Sequence, residues 1–180
     1  PERSGFDNPF SDFNVTEIIG GIANISRRED CRFLIQVFTS EVDVDFIRGW
    51  VNSREVDGVI VYGGIPEGML KSIAAERLPV VSIDDAPTAG VPTLSVNNYA
   101  ASFQLTEHLL GKGHRRFLHL TGDNSHIARE REKGVIDALR SHSIPADNIT
   151  SRRADFKEIE AYEIVKRRVR DGALNETAIV

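Results

Sequence analysis

A single cysteine, Cys31, stands in 180 residues, beside one tryptophan and one methionine. One thiol excludes an internal disulfide framework and fits a reducing compartment. Long hydrophobic runs are missing too: nothing approaches the ~18 apolar residues of a membrane span. Basic residues are not in excess. Lys and Arg total 22 against 27 Asp and Glu, a net charge of -5, which excludes nucleic-acid binding by bulk electrostatics in this chain. The opening Pro1-Glu2-Arg3-Ser4-Gly5 is neither an initiator methionine nor a signal peptide.

Catalytic signatures are also lacking. The chain has no Gly-x-Ser-x-Gly elbow and no Gly-x-x-x-x-Gly-Lys-Ser/Thr phosphate loop. His108, His114, His119, His126 and His142 show no metal-ligand spacing with carboxylates or with Cys31. Gly111-Lys112-Gly113 follows a helical pattern and precedes a strand, so it reads as a helix stop and not as a dinucleotide loop. These absences predict a non-enzymatic protein with no metal and no cofactor. Arg27-Arg28, Arg115-Arg116, Arg152-Arg153 and Arg167-Arg168 are scattered and offset by acids, as on a solvated surface.

What is present is a regular alternation of two hydrophobic periods. Apolar residues make 41% and charged residues 27%, a composition that folds, and the length suits one large domain or two small lobes. Val15, Ile18, Ile19, Ile22 and Ile25 predict an amphipathic helix over 14–28. The compact run 32–38 predicts a buried strand, and Phe46, Ile47, Trp50 and Val51 a helix over 43–53. Val59-Ile60-Val61-Tyr62 reads as a strand stopped by Gly63-Gly64. Met69, Leu70, Ile73 and Ala74 mark a helix, and 79–83 a strand ending at Asp84-Asp85. After the loop 85–93, a short strand at 94–96 leads to a helix capped by Asn97 or Asn98, with Ala101, Leu105 and Leu109 on one face. Strands at 116–120, 149–153 and 177–180 alternate with helices at 127–141 and around Ile159, Tyr162, Val165 and Val169.

That order predicts an α/β protein of parallel sheets flanked by helices, with lobes at 1–96 and 97–180. The chain opens on a loop and helix and closes inside an apolar strand. The expectation is that a first strand and the end of the second lobe lie outside it, which would leave unpaired sheet edges.

Ligands of open parallel sheets bind at the carboxyl ends of strands. Those ends carry Tyr62-Gly63-Gly64, Asp84-Asp85, Thr121-Gly122-Asp123-Asn124-Ser125 and Asp155-Phe156, with Arg129 and Arg131 in the helix that follows. Carboxylates, amides, guanidinium forks and an aromatic face suit a sugar or similar polyol. Asp84, Asp123 and Asp155 could equally be turn and cap residues.

One stretch is specific. Val96-Asn97-Asn98-Tyr99-Ala100-Ala101, then 106–117 with Gly113-His114-Arg115-Arg116, then Leu120-Thr121-Gly122, resembles the effector-binding domain of the lactose-repressor (LacI/GalR) family. Residues 11–22, Val56-Asp57-Gly58-Val59-Ile60-Val61 and 78–84 fit its pattern in order, although Phe13-Asn14-Val15 replace its usual proline-phenylalanine-phenylalanine. The resemblance implies a two-lobed, periplasmic-binding-protein-like fold holding a small effector, a carbohydrate, between its lobes. It also implies allosteric control of transcription, a homodimer and a cytoplasmic location without membrane. DNA would be bound through a helix-turn-helix headpiece outside this chain. By position it assigns Asp84, Arg131, Arg129, Phe156, Asp123, Asn124 and Ser125 to the effector, and Phe13 and Asn14 to the cleft. Helices of the first lobe around Trp50 are candidates for the dimer face. The alternative is an extracytoplasmic sugar-binding protein of a transport system.

Overall fold

The computed structural model describes residues 10, 12–37, 49–50, 52–53, 55–63, 67–75, 78–84 and 86–180. It contains two compact units, Pro1–Phe46 and Ile47–Val180.

In the first unit, α1 spans Phe13–Arg28, with Arg27 and Arg28 placed favourably at its negative end. The Asp12 carboxylate caps it, accepting the N–H of Asn14 at 2.7 Å. The apolar run expected as a buried strand does not form one: residues 31–37 carry no strand, and Leu34, Ile35 and Val37 are exposed. A strand exists only through a ladder to a neighbour, and no ladder reaches 31–37 among the described residues. Phe38 lies outside them.

The second unit holds two parallel sheets. Gly49, Trp50, Asn52 and Ser53 are helical, as expected; the remainder of the helix predicted over 43–53 lies outside the described residues. β1 (Val59–Tyr62), α2 (Glu67–Ala75), β2 (Val80–Ile83) and β3 (Thr93–Leu94) follow, with strand order β1-β2-β3. Val61, Val80 and Ser82 are buried while Ile60 and Val81 are exposed, the period of two expected of a one-sided sheet. Leu70 and Ile73 on α2 are fully buried. β1 stops at Gly63, whose φ of 97° suits a residue without Cβ.

A linker, 95–97, leads to the second sheet. α3 (Asn98–Gly111), β4 (Phe117–Thr121), α4 (His126–Ser141), β5 (Ile149–Arg153), α5 (Glu158–Arg170) and β6 (Ala178–Ile179) give strand order β5-β4-β6, all parallel. Its core is Leu110, Phe117, Val135, Leu139 and Ala178.

Two helices differ from their apolar patterns. On α3 the face shared by Ala101, Leu105 and Leu109 is not the buried one; Leu105 is exposed, and Asn98, Thr106 and Leu110 are buried. The reason is the crossing with α4. A Cβ on Gly134 would stand 2.4 Å from the Tyr99 carbonyl oxygen and 3.0 Å from the Phe103 nitrogen. Backbones that close need small or self-bonded polar residues between them, and Thr106 bonds its hydroxyl to the Ser102 carbonyl at 2.8 Å. On α5 no residue is fully buried, and Ile159, Tyr162 and Val169 are exposed. The helix is instead tied to the return loop by Arg168, whose guanidinium pairs with the buried Glu176 carboxylate and donates to the Ala173 carbonyl at 2.8 Å.

Candidate ligand site

The register of the second sheet builds the site. Thr121 pairs with Arg153 at the carboxyl ends of β4 and β5, and the Ala154 N–H donates to the Thr121 carbonyl at 2.8 Å. Gly122 and Asp155-Phe156 therefore leave adjacent strands side by side. The Phe156 ring lies flat on Gly122: a Cβ there would meet ring atoms at 2.2 to 2.7 Å. Only glycine leaves that space.

Arg131 completes the group. Its guanidinium carbon lies 5.5 Å from the Phe156 ring centroid. Its Nε donates to Asn98 Oδ1 at 2.8 Å, and the Asn98 amide in turn donates to the Val96 carbonyl at 3.1 Å. Among the described residues the two terminal nitrogens of Arg131 take no hydrogen-bond partner, so the fork is open. Phe156 as a residue is 48% exposed. An aromatic face beside a fork of unpartnered donors can stack on a sugar ring and bind its hydroxyls, or pair with an anionic group.

The other predicted residues divide. Asp123 accepts the Ser125 N–H at 2.9 Å, and Ser125 caps α4 by accepting the Ala128 N–H at 3.3 Å. Both act as turn and cap residues at the start of α4. Arg129 turns back to the Asn124 carbonyl. Asp155 accepts from Arg153. Asp84 ends β2 in the left-handed region, at φ 58°, with its N–H on the Leu94 carbonyl at 3.0 Å. Asp155 and Phe156 share that conformation, at φ 50° and 59°. Three of the five non-glycine residues at positive φ among those described, Asp84, Asp155 and Phe156, thus fall at the strand ends singled out in the sequence. Phe13 and Asn14 begin α1 in the first unit, where Phe13 is exposed.

Sequence reasoning missed Asn98, Gly122 as a platform, and His119. Asn97 and Asn98 were equivalent as caps; the structure gives the cap to Asn97, which accepts the Ala100 N–H at 2.9 Å, and frees Asn98 for Arg131. His119 is buried on β4, and burial pushes its imidazole below the ordinary value of 6.5 despite the opposing charge of Glu132. Its Nδ1 has no hydrogen-bond partner among the described residues. A cavity of about 260 Å³ lies between the linker 95–97 with Asn98 of α3 and His126, Ile127 and Glu130 of α4. No cluster of three metal-ligating side chains occurs among the described residues, and no described helix is long and apolar enough to cross a membrane.

Comparison with known proteins identifies the fold and its family. Residues 13–165 match the family described as periplasmic binding proteins and sugar binding domain of LacI family. The HTH-type transcriptional regulator MalR of Streptococcus pneumoniae is 25% identical over 168 residues, covering 90% of this chain and 49% of MalR. The chain thus spans about half the length of this curated relative. A LacI family transcriptional regulator from Enterococcus faecium, solved with bound ribose, superposes with a TM-score of 0.77 at 18% identity, over 97% of this chain and 63% of that one. A dimeric Lac repressor superposes with a TM-score of 0.76 at 17% identity, over 92% and 62%. The strand-end architecture, the Gly-His-Arg-Arg block and the match over most of its length place the chain in the LacI family of periplasmic-binding-protein-like domains.

Proposed function

We propose that this chain is the effector-sensing domain of a LacI-type transcriptional regulator, and that its effector is a sugar. The observation that carries the reading is the open Arg131 fork over the half-exposed Phe156 ring. Phe156 would stack on the apolar face of the sugar, and Arg131 would take its hydroxyls. Asp84, Asp123, Asn124, Ser125 and Arg129 are proposed as further contacts from their strand-end positions. Phe13 and Asn14 are proposed on the resemblance alone. The ribose in the Enterococcus faecium relative supports the ligand class.

Binding regulates only if the ligand prefers one conformation over another. In the complete regulator that preference would set the spacing of two helix-turn-helix segments in a homodimer, and so operator affinity. The name of MalR favours this cytoplasmic regulator over an extracytoplasmic binding protein. No catalytic role is proposed for any residue.

The test is calorimetry of a panel of sugars, D-ribose included, on the complete regulator. For the sugar that binds, Arg131→Ala should weaken affinity about tenfold or more, the worth of a hydrogen bond to a charged group, and Phe156→Ala should weaken it through the loss of the stacking face. Unchanged affinity would remove both residues from the site, and a panel without binding would remove the sugar.

A further inference from the structure

We propose that Asn98 is a positioning residue that couples Arg131 to the linker between the two sheets. The inference rests on Arg131 being a ligand contact. Asn98 is the first residue of α3 and is buried, only 9% exposed. Its side chain spends both polar atoms on two different partners. Oδ1 accepts from Arg131 Nε at 2.8 Å, and Nδ2 donates to the Val96 carbonyl at 3.1 Å. Asn97, next to it, already caps the helix, so Asn98 is not needed as a cap.

The geometry makes the amide a two-ended link. Arg131 is on the second turn of α4, and Val96 is in the linker that joins β3 of one sheet to α3 of the next. An amide held at both ends cannot turn without losing one bond, and a buried amide that loses one is left with an unmet donor or acceptor. Holding Arg131 by Nε also orients the fork, leaving its terminal nitrogens for a ligand and its guanidinium carbon over the Phe156 ring. A ligand that draws on the fork therefore pulls on the Val96 carbonyl through one intermediate. Val96 is exposed, with little apolar packing to hold the linker otherwise.

The experiment needs no effector and uses the 180-residue chain, labelled with nitrogen-15 for NMR. Arg131→Ala should shift the backbone amide signals of Val96 and Asn97 and the side-chain amide pair of Asn98. In the Asn98→Ala background the same substitution should leave Val96 and Asn97 where that background puts them. Asn98→Asp keeps an acceptor for Arg131 but loses the donor to Val96. In that background, carbon-13-detected Phe156 ring signals should stay native while the response of Val96 to Arg131→Ala disappears. The Asp variant keeps the test open if Asn98→Ala does not fold. A merely structural Asn98 would let Arg131→Ala shift Val96 equally in all backgrounds, and that result, or no shift in the parent chain, overturns the coupling. Failure of the sugar panel bears on the ligand, and failure of this cycle bears on the link.

Discussion

Single atoms at glycine positions decide much of the site. Gly122→Ala puts a methyl group into the Phe156 ring, but the atoms it meets are the far end of a side chain at the surface. The ring can swing away. Stability should fall by less than about 1 kcal/mol by urea unfolding, below the usual cost of overpacking, while the Arg131–Phe156 contact is lost from the Phe156 ring signals. Full retention of the ring signals would show that the platform is not tight. Phe156 was legible as a candidate because strand ends of a parallel sheet are where ligands bind, and Arg131 because it lies on the helix that follows such an end. Asn98 was not, because one asparagine in an Asn-Asn pair reads as a cap until its partner 33 residues away is known.

At the level of elements, the α3–α4 crossing brings two helix backbones into close approach at Gly134. Gly134→Ala meets backbone atoms of Tyr99 and Phe103, which cannot move aside singly. A loss of about 1–3 kcal/mol by urea unfolding is expected, and a neutral result would mean that the helices can separate freely. The same crossing explains why the apolar stripe on α3 misled: periodicity finds a face, but the neighbouring helix selects which face is buried. α5 gives the converse prediction. Ile159 and Val169 are exposed, so Ile159→Lys and Val169→Lys should each stay within about 0.5 kcal/mol of the parent in the isolated chain. A larger loss in urea unfolding would place these side chains in a packed face.

For the whole molecule, two buried ionisable groups shape stability against pH. The His119 imidazole has a folded value below 6.5 because burial disfavours its charge. The unfolded chain therefore takes up that proton first, and stability is full above pH 6.5 and falls as pH drops from there toward the folded value. Glu176 runs over a lower window. Burial alone would raise its carboxyl, but hydrogen bonds from Arg168, Thr150 and its own backbone, with the Arg168 charge, hold it at about 2 against an ordinary 4.5. Its contribution is present above pH 4.5 and is lost as pH falls toward 2. Thermal midpoints followed by the emission of Trp50, the chain's one tryptophan, should fall in these two steps. His119→Leu should flatten the upper step and leave the lower. An unchanged upper step would assign it to another group.

The alternation of periods along the chain was enough to give the α/β class, the parallel strands from 59 onward, and the strand ends at which a ligand could bind. Those properties follow from local pattern and from chain order, since consecutive β-α-β units leave few topologies. Three features needed the folded chain: residues 31–37 carry no strand, α3 buries Asn98 and Thr106 in place of Leu105, and Arg131, Phe156, Gly122 and Asn98 form one group. Each depends on a partner distant in the chain: a ladder neighbour, a crossing helix, an adjacent strand end. Local sequence carries no term for such partners, and the energy of a contact exists only once both sides are in place.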